Sequence, residues 1–199
     1  MKTYFFKVKL SYAKRIWRKI EIPGRLTLDN LHSGIQGAFG FASDHSYSFF
    51  MSGKAWDNRS DFEYYSPELS EEPFDPLKQA KEEKHFLRME NEFRHTLDER
   101  NIEAHEATEM LTFFHELMPK PRLKLTANKM RIETLNLKPK QKFLYLFDYG
   151  DEWCFEVEFL KAGTEEEMLR PRIVDSRGKA PEQYPDNEDG LDDGEEEES

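Results

Sequence analysis

The first part of the chain alternates apolar and polar residues with the period of a β-strand. In residues 3–11 the apolar positions of one face are Tyr4, Phe6, Val8 and Leu10. A period of two is typical of a half-buried strand. Residues 16–22 repeat the pattern with Ile16, Ile20 and Ile22, and Pro23 with Gly24 ends the segment. We therefore predict an N-terminal β-hairpin.

Two neighbouring residues of the second strand are candidates for binding. Arg18 falls on the apolar face, where its charge requires a partner, a water or a bulge. Trp17 points to the opposite face, where we expect it to be exposed among Lys7, Lys9 and Lys19.

A helix and a third strand follow the hairpin. The apolar positions Leu28, Leu31, Ile35, Ala38 and Phe39 recur at helical spacing. Thr27 is the predicted N-cap and Gly40 the predicted C-cap of this helix, residues 27–39. Gly34 and Gly37 weaken a helix, and close packing on a sheet would explain them. Alternation at Tyr47, Phe49 and Met51 predicts the third strand.

The middle of the chain changes from irregular to helical. Residues 57–76 have no clear period and contain three prolines, so we predict a loop. Residues 77–118 carry two apolar stripes at helical spacing with a break near Asn101, which predicts two antiparallel helices ended by Pro119 and Pro121. Residues 122–142 leave open a short strand in RLKLTA and a short helix or turn in ETLNL.

The strongest pattern is an aromatic hairpin, FLYLFDYGDEWCFEVEF, at residues 143–159. Its first strand is apolar on both faces, which is usual for a central strand of a sheet. Gly150 is expected to supply the positive φ of the turn. The chain beyond Pro171 is polar and broken by prolines, and its end has the composition of a disordered segment.

These patterns predict an α+β fold. We expect an antiparallel sheet of about four or five strands, one packed helix, an inserted helical pair and a disordered acidic C-terminal tail. The predicted boundaries are a single domain at 1–180, a helical insertion at 77–118 and a tail at 181–199. No segment is long and apolar enough to span a bilayer, the N-terminus does not read as a signal peptide, and a single cysteine forms no internal disulfide. We therefore expect a soluble, cytoplasmic protein.

The charge of the chain is distributed unevenly. Residues 180–199 contain ten acidic residues and no Lys or Arg, and subtracting these ten charges from the total of −11 leaves −1. Residues 1–25 are basic, with eight Lys and Arg against Glu21. Such asymmetry predicts either a surface facing nucleic acid with an acidic tail that competes for it, or a solvated sheet face with a solubilising tail.

Two histidines and two turn acids are the candidates for chemistry. His32 lies on the flank of the 27–39 helix, His45 follows that helix, and Asp148 and Asp151 belong to the turn of the aromatic hairpin. Together they could bind a metal or act as acid and base. The structural alternative is that the acids hydrogen-bond the backbone of their turn or neutralise Arg18.

The known metal and phosphate motifs are not matched. His85, His95, His105 and His115 are ten residues apart and drift around a helix, so we treat them as surface residues. The tail fails the calcium-loop template at Pro185 or at Leu191, and there is no phosphate-binding glycine motif. We predict neither a metal nor a cofactor.

Several segments together resemble one protein family, named after an open reading frame of the Ri plasmid. The matching segments are YFFKVKLSYAKRIWRKIEIPG, LTLDNLHSGIQGAFGF and FLYLFDYGDEWCFEVEF. The matching residues are Ile16, Trp17, Arg18, Leu28, Leu31, His32, Ile35, Gln36, Phe39, Gly40, His45, Asp148, Gly150, Asp151 and Trp153. Phe41 replaces the usual tryptophan, and a cysteine usual near the C-terminus is missing. Relatives are described as passenger proteins of insertion elements. The family is largely uncharacterised, so the resemblance implies a fold and very little about function.

Three functions remain open from the sequence. The first is a non-enzymatic binding module that contacts nucleic acid or a protein through the basic N-terminal hairpin, with no role at a membrane. The second is an enzyme or metal-binding protein that uses His32, His45, Asp148 and Asp151. The third is that the polar residues only determine the fold.

Overall fold

A computed structural model describes residues 2–56, 62–69, 76–118, 123–164 and 167–184. The strands are β1 Lys2–Leu10, β2 Trp17–Pro23, β3 Tyr47–Phe50, β4 Phe62–Tyr65, β5 Leu123–Thr126, β6 Lys142–Phe147, β7 Trp153–Thr164 and β8 Arg172–Arg177. The helices are α1 Leu28–Phe39, α2 Pro76–Glu99 and α3 Ala104–Leu117, with short 3-10 turns at Pro67–Leu69, Ala127–Lys129 and Ile132–Leu135. The α+β class is as predicted.

The sheet is larger than the four or five strands expected. Within the described residues, eight strands form one sheet in the order β5-β4-β3-β6-β7-β1-β2-β8. The pairing of β4 with β5 is parallel and the other pairings are antiparallel. The central position expected for the aromatic hairpin is confirmed, since β6 and β7 lie in the middle of this order.

The missed strands have weak sequence signals. β4 lies inside the predicted loop at 57–76 and is four residues long, too short to establish a period. β8 lies in the polar C-terminal region, and all six of its residues are exposed at the sheet edge. Residues 57–61 and 70–75 of the predicted loop lie outside the described part of the chain.

One face of the sheet, called here the inner face, carries the core and packs against α1. Its largest buried side chains are aromatic: Phe6, Phe49, Phe143, Tyr145, Phe147 and Phe155. Thr27 caps α1 in a reciprocal capping box with Asn30, and Gly40 ends the helix at a φ of 74°. Both caps are as predicted. A Cβ on Gly34 would lie 2.9 Å from Pro171, whereas one on Gly37 would meet nothing within 4 Å. Close packing therefore explains Gly34 alone.

The predicted helical pair is confirmed between β4 and β5. The rings of Phe93 in α2 and Phe114 in α3 stack at a centroid distance of 5.0 Å. On one side of this contact, Glu90 lies 3.2 Å from His115 and 2.7 Å from Arg94. Pro119 and Pro121, expected to end α3, lie outside the described residues. No helix in the described chain is both long enough and apolar enough to cross a bilayer.

The C-terminal segment remains packed beyond the predicted domain boundary. Gln183 is buried and accepts a hydrogen bond from the backbone N–H of Ala42 at 2.6 Å. The predicted tail at 181–199 thus begins with residues that contact the domain, and its remainder, from residue 185, lies outside the described residues.

Candidate functional site

Arg18 is satisfied by backbone carbonyls and by an aromatic ring. Its Nε donates to the carbonyl of Ala38 at 2.8 Å, and its Nη1 donates to the carbonyls of Trp17, Arg177 and Gly178. The guanidinium also lies 4.8 Å from the ring centroid of Phe39. Among the described residues no carboxylate forms an ion pair with it, so the expected neutralisation by Asp148 or Asp151 is wrong. Arg18 instead joins the end of α1 to the edge strand β8.

His32 belongs to a buried polar network between α1 and the sheet. Its Nδ1 lies 2.7 Å from the Tyr145 hydroxyl, which also accepts a hydrogen bond from Gln36 at 2.6 Å. Since Tyr145 accepts from Gln36, its own hydrogen is directed to Nδ1. The His32 ring stacks on Tyr47 at 3.9 Å, and the Tyr47 hydroxyl donates to Asp29 at 2.6 Å.

Burial keeps the side chains of His32 and Tyr145 neutral. It lowers the pKa of His32 to about 4 and raises the pKa of Tyr145 well above its ordinary value. The Oε1 atom of Gln36 is buried without a hydrogen-bond partner. A neutral, packed histidine is a poor base at physiological pH, and its contacts indicate a role in joining α1 to β6.

Asp148 organises the turn of the aromatic hairpin. Its Oδ1 accepts hydrogen bonds from the backbone N–H groups of Gly150 at 2.9 Å and Asp151 at 3.3 Å. The positive φ values of the turn are 55° at Asp148 and 52° at Glu152. The positive φ predicted for Gly150 is therefore wrong. A Cβ added at position 150 would lie 3.3 Å from Oδ1 of Asp148. A glycine there leaves room for the Asp148 side chain to accept the hydrogen bonds of the turn.

His45 and Asp148 are the two candidates that come into contact. The distance from Nε2 of His45 to Oδ2 of Asp148 is 3.5 Å, and Asp44 lies 4.0 Å from the same nitrogen. Asp44 accepts hydrogen bonds from the Tyr184 hydroxyl at 2.8 Å and from Gln183 at 3.1 Å. The hydrogen bond from Tyr184 holds the pKa of Asp44 below its ordinary value.

The four predicted residues do not form one metal site. The rings of His32 and His45 lie 6.1 and 6.2 Å from the ring of Phe147. His32 is hydrogen-bonded to Tyr145, whereas His45 contacts Asp148 at 3.5 Å. Asp151 is exposed and contributes a backbone N–H to the turn. Within the described part of the chain, no three His, Cys, Asp or Glu residues are placed to hold a metal ion.

Trp17 lies on the other face of the sheet, called here the outer face, beside a pair of lysines. Trp17 was expected to be exposed, but it is half-buried, and Lys7 places its Nζ 4.3 Å from the Trp17 ring centroid. Lys7 lies directly opposite Lys19 in the pairing of β1 with β2. Lys9 instead pairs with Glu156 at 2.9 Å and lies 3.7 Å from Glu158. Of the three lysines expected around Trp17, Lys9 is therefore engaged by carboxylates, and Lys7 and Lys19 are left as the candidates for binding.

The comparison of sequences now identifies the family. Residues 2–192 match the family described as plasmid pRiA4b ORF-3-like protein. This chain belongs to that family. The resemblance drawn from the motifs is thereby confirmed. Its motif residues on α1, His32 and Gln36, are the ones that bond Tyr145 in the core.

The remaining comparisons bear on fold and not on activity. The crystal structure of MM3350, a protein of unknown function from Methanosarcina mazei Go1, has a TM-score of 0.52 and 18% identity. The alignment covers 90% of this chain and 72% of that chain, and at this identity it supports the fold alone. The comparison with curated proteins gives no match. Neither the family description nor this neighbour specifies a function.

Sequence reasoning missed the partners that complete these clusters. Tyr145 lies in the predicted hairpin, but nothing in the sequence pairs it with His32. Gln183 and Tyr184 lie in the predicted tail, yet they form hydrogen bonds with Asp44 about 140 residues away in the chain. The facing of Lys7 and Lys19 could have been found from the register of the predicted hairpin.

Proposed function

We propose that this protein is a non-enzymatic binding module that holds single-stranded nucleic acid on the outer face of its sheet. The observation that carries the proposal is the pairing of Lys7 with Lys19 across β1 and β2, beside Trp17. Two like charges directly opposite each other repel across a strand pair, so an external anion placed between the two ammonium groups would be attracted to both of them.

The chemistry of this surface suits a single strand better than a duplex. Lysines contact phosphates, and an indole ring offers a stacking surface for an unpaired base. Within the described residues neither Lys7 nor Lys19 forms an ion pair, so both charges are available to a ligand. The ring of Trp17 is covered by the Lys7 ammonium, and a base could replace it there.

The surface is small, and its surroundings limit the affinity expected. Glu158 lies opposite Lys7 on β7 and Asp175 lies opposite Lys19 on β8. The acidic residues after Tyr184 would compete with phosphates at low salt. We therefore expect weak, salt-sensitive binding that becomes tighter when residues 185–199 are removed.

The enzyme or metal-binding alternative has less support. Of its four residues, His45 and Asp148 make contact with each other, and Oδ1 of Asp148 is already engaged by the turn. His32 is buried against Tyr145. These contacts favour the roles of fold determinants for His32 and Asp148.

The test is fluorescence anisotropy with single-stranded RNA and DNA of about 12 nucleotides, and with a duplex of the same length, between 50 and 200 mM salt. Removing both amines in Lys7→Ala/Lys19→Ala should reduce the slope of log affinity against log salt by about 1.4, the contribution of two phosphates on a single strand. Trp17→Ala should weaken binding by about tenfold or more through lost stacking.

A charge-matched control distinguishes a specific surface from general electrostatics. Lys129 and Lys138 are exposed in the segment between β5 and β6, away from the outer-face lysines in sequence. The double variant Lys129→Ala/Lys138→Ala should bind like the unmodified protein. Equal losses in both double variants, or no salt-dependent binding with the tail removed, would contradict the proposal.

A further inference from the structure

The helix α3 carries large apolar side chains that the fold leaves exposed. Met110 is 41% exposed, Phe113 59% and Leu117 66%. Helix positions three, four and seven residues apart share one side of a helix, so these three side chains form a continuous stripe. Soluble monomers rarely expose a contiguous apolar patch, so a stripe of this kind indicates a surface that binds a partner.

The stripe borders an open groove between α2 and α3. The groove has a volume of about 510 Å³ and is lined by Phe93, Glu109, Met110, Phe113, Phe114 and Leu117. The stacked rings of Phe93 and Phe114 are part of this lining. Two packed helices bury the apolar residues between them, and a third helix laid along the groove would cover the stripe as in a helical bundle.

On α3 itself, the charged side chains next to the stripe are all acidic. Glu106, Glu109 and Glu116 are spaced three and seven residues apart, so they lie together on the side of α3 next to Phe113. Residues 101–119 contain no Lys or Arg. The ion pairs of Glu90 with Arg94 and His115 lie at another part of the helical pair, because His115 falls on the far side of α3 from Phe113.

This acidic rim decides among the possible occupants. In a symmetric dimer the same patch meets itself, so a second copy would bring these glutamates against their own counterparts. The acidic residues of 185–199 would meet the same repulsion. A helix whose apolar residues are flanked by Lys and Arg would instead complement both the stripe and its rim.

We propose that the groove between α2 and α3 docks a basic amphipathic helix of a partner protein. Leu or Phe residues of that helix would contact Met110, Phe113 and Leu117, and its Lys or Arg residues would pair with Glu106, Glu109 and Glu116. This activity goes beyond the nucleic-acid surface proposed above, and it uses none of the same residues.

The test uses the full chain and two labelled probe peptides of about 18 residues, one with Leu and Lys in amphipathic helical order and one with Glu in place of every Lys. We expect the basic peptide to bind at least tenfold more tightly than the acidic one. Phe113→Ser/Leu117→Ser should weaken the basic peptide by about tenfold or more. Circular dichroism confirms that the variants retain their helices.

Charge reversal provides the decisive comparison. The triple variant Glu106→Lys/Glu109→Lys/Glu116→Lys should prefer the acidic peptide. The matched triple variant Glu68→Lys/Glu133→Lys/Glu167→Lys changes the net charge equally at exposed positions elsewhere, and it should retain the preference for the basic peptide.

Three results would overturn the proposal. The first is equal binding of the two peptides, or binding of neither. The second is a loss of preference that is the same in both triple variants, which would assign binding to net charge. The third is a dimer in sedimentation that Phe113→Ser/Leu117→Ser disperses, which would assign the groove to a second copy of this chain.

Discussion

At the scale of single residues, this chain places polar side chains in its core and satisfies most of them with specific partners. Arg18 takes four carbonyls from three parts of the chain, and His32 shares the Tyr145 hydroxyl with Gln36. A buried polar group without a partner is costly, so each contact fixes the position of one element relative to another. We therefore expect replacement of these residues to change mainly the stability of the fold.

We expect Arg18→Met to reduce the free energy of unfolding by about 3 kcal/mol, because it removes charge-assisted hydrogen bonds and leaves carbonyl groups of α1 and β8 unpaired. Denaturant unfolding measures the change. Arg15→Met, at an exposed position of the preceding loop, serves as the control and should change stability by less than about 0.5 kcal/mol. A stable Arg18→Met protein that had lost nucleic-acid binding would contradict this role.

His32 should make stability depend on pH. Its pKa is about 4 in the fold against 6.5 ordinarily, so the unfolded chain takes up a proton more readily between these values. The contribution is fully present above pH 6.5 and is lost as pH falls toward 4, to a total of about 3 kcal/mol.

The measurement compares unfolding free energies at pH 7 and pH 4.5 for the unmodified protein, His32→Gln and His45→Gln. The loss on acidification should be smaller in His32→Gln by about 2 kcal/mol. His45→Gln serves as the control for replacing a histidine elsewhere in the chain. The same pH dependence in all three proteins would show that His32 does not remain neutral in the fold.

At the scale of elements, α1 depends on one close approach to the segment before β8. A Cβ at position 34 would lie 2.9 Å from Pro171 and 3.8 Å from Ile20, whereas position 37 faces open space. The two glycines have the same low helix propensity and lie one turn apart. Replacing each glycine with alanine therefore distinguishes the effect of packing from the effect of helix propensity within a single helix.

We expect Gly37→Ala to stabilise the protein by about 1 kcal/mol, the difference in helix propensity between glycine and alanine. Gly34→Ala gains the same propensity but forces α1 away from Pro171, so it should destabilise the protein by about 1–3 kcal/mol. Thermal unfolding of the two variants provides the comparison. Equal stabilisation by both would show that the contact with Pro171 yields without cost.

The sequence predicted those elements whose apolar side chains form a clear pattern, either a regular period or a continuous run. The strands around Phe6, Ile20, Tyr145 and Phe155 and the capped helix at Thr27 belong to this group. The edge strand β8 exposes both of its faces, so its residues carry no alternation to detect. The sequence indicates candidate site residues one at a time. It does not indicate their partners, because these are brought close only by the fold, as when Tyr184 donates a hydrogen bond to Asp44.

At the scale of the whole molecule, the C-terminal part adds the edge strand of the sheet and hydrogen bonds to Asp44. β8 pairs with β2, and the carbonyls of Arg177 at its end and of Gly178 just after it accept hydrogen bonds from Arg18. The chain then reaches Asp44 through Gln183 and Tyr184. We therefore expect the residues up to Tyr184 to contribute to the stability of the fold.

Two truncations test this boundary. A chain ending at Tyr184 should keep its free energy of unfolding within about 1 kcal/mol. A chain ending at Arg170 loses β8 and two acceptors of Arg18, so we expect it to lose a cooperative unfolding transition in circular dichroism. If both chains unfold alike, β8 contributes little to the fold.

The parallel pairing of β4 with β5 has a practical consequence for engineering this protein. Two parallel neighbouring strands need a long connection that carries the chain from the end of the first strand back to the level of its start. Here α2 and α3 form that connection between β4 and β5. Lengthening a long connection costs only about 0.6 kcal/mol for each doubling. The bend at residues 100–103, far along the chain from either strand, is therefore suited to splicing in a fluorescent reporter while both ends of the protein stay unmodified.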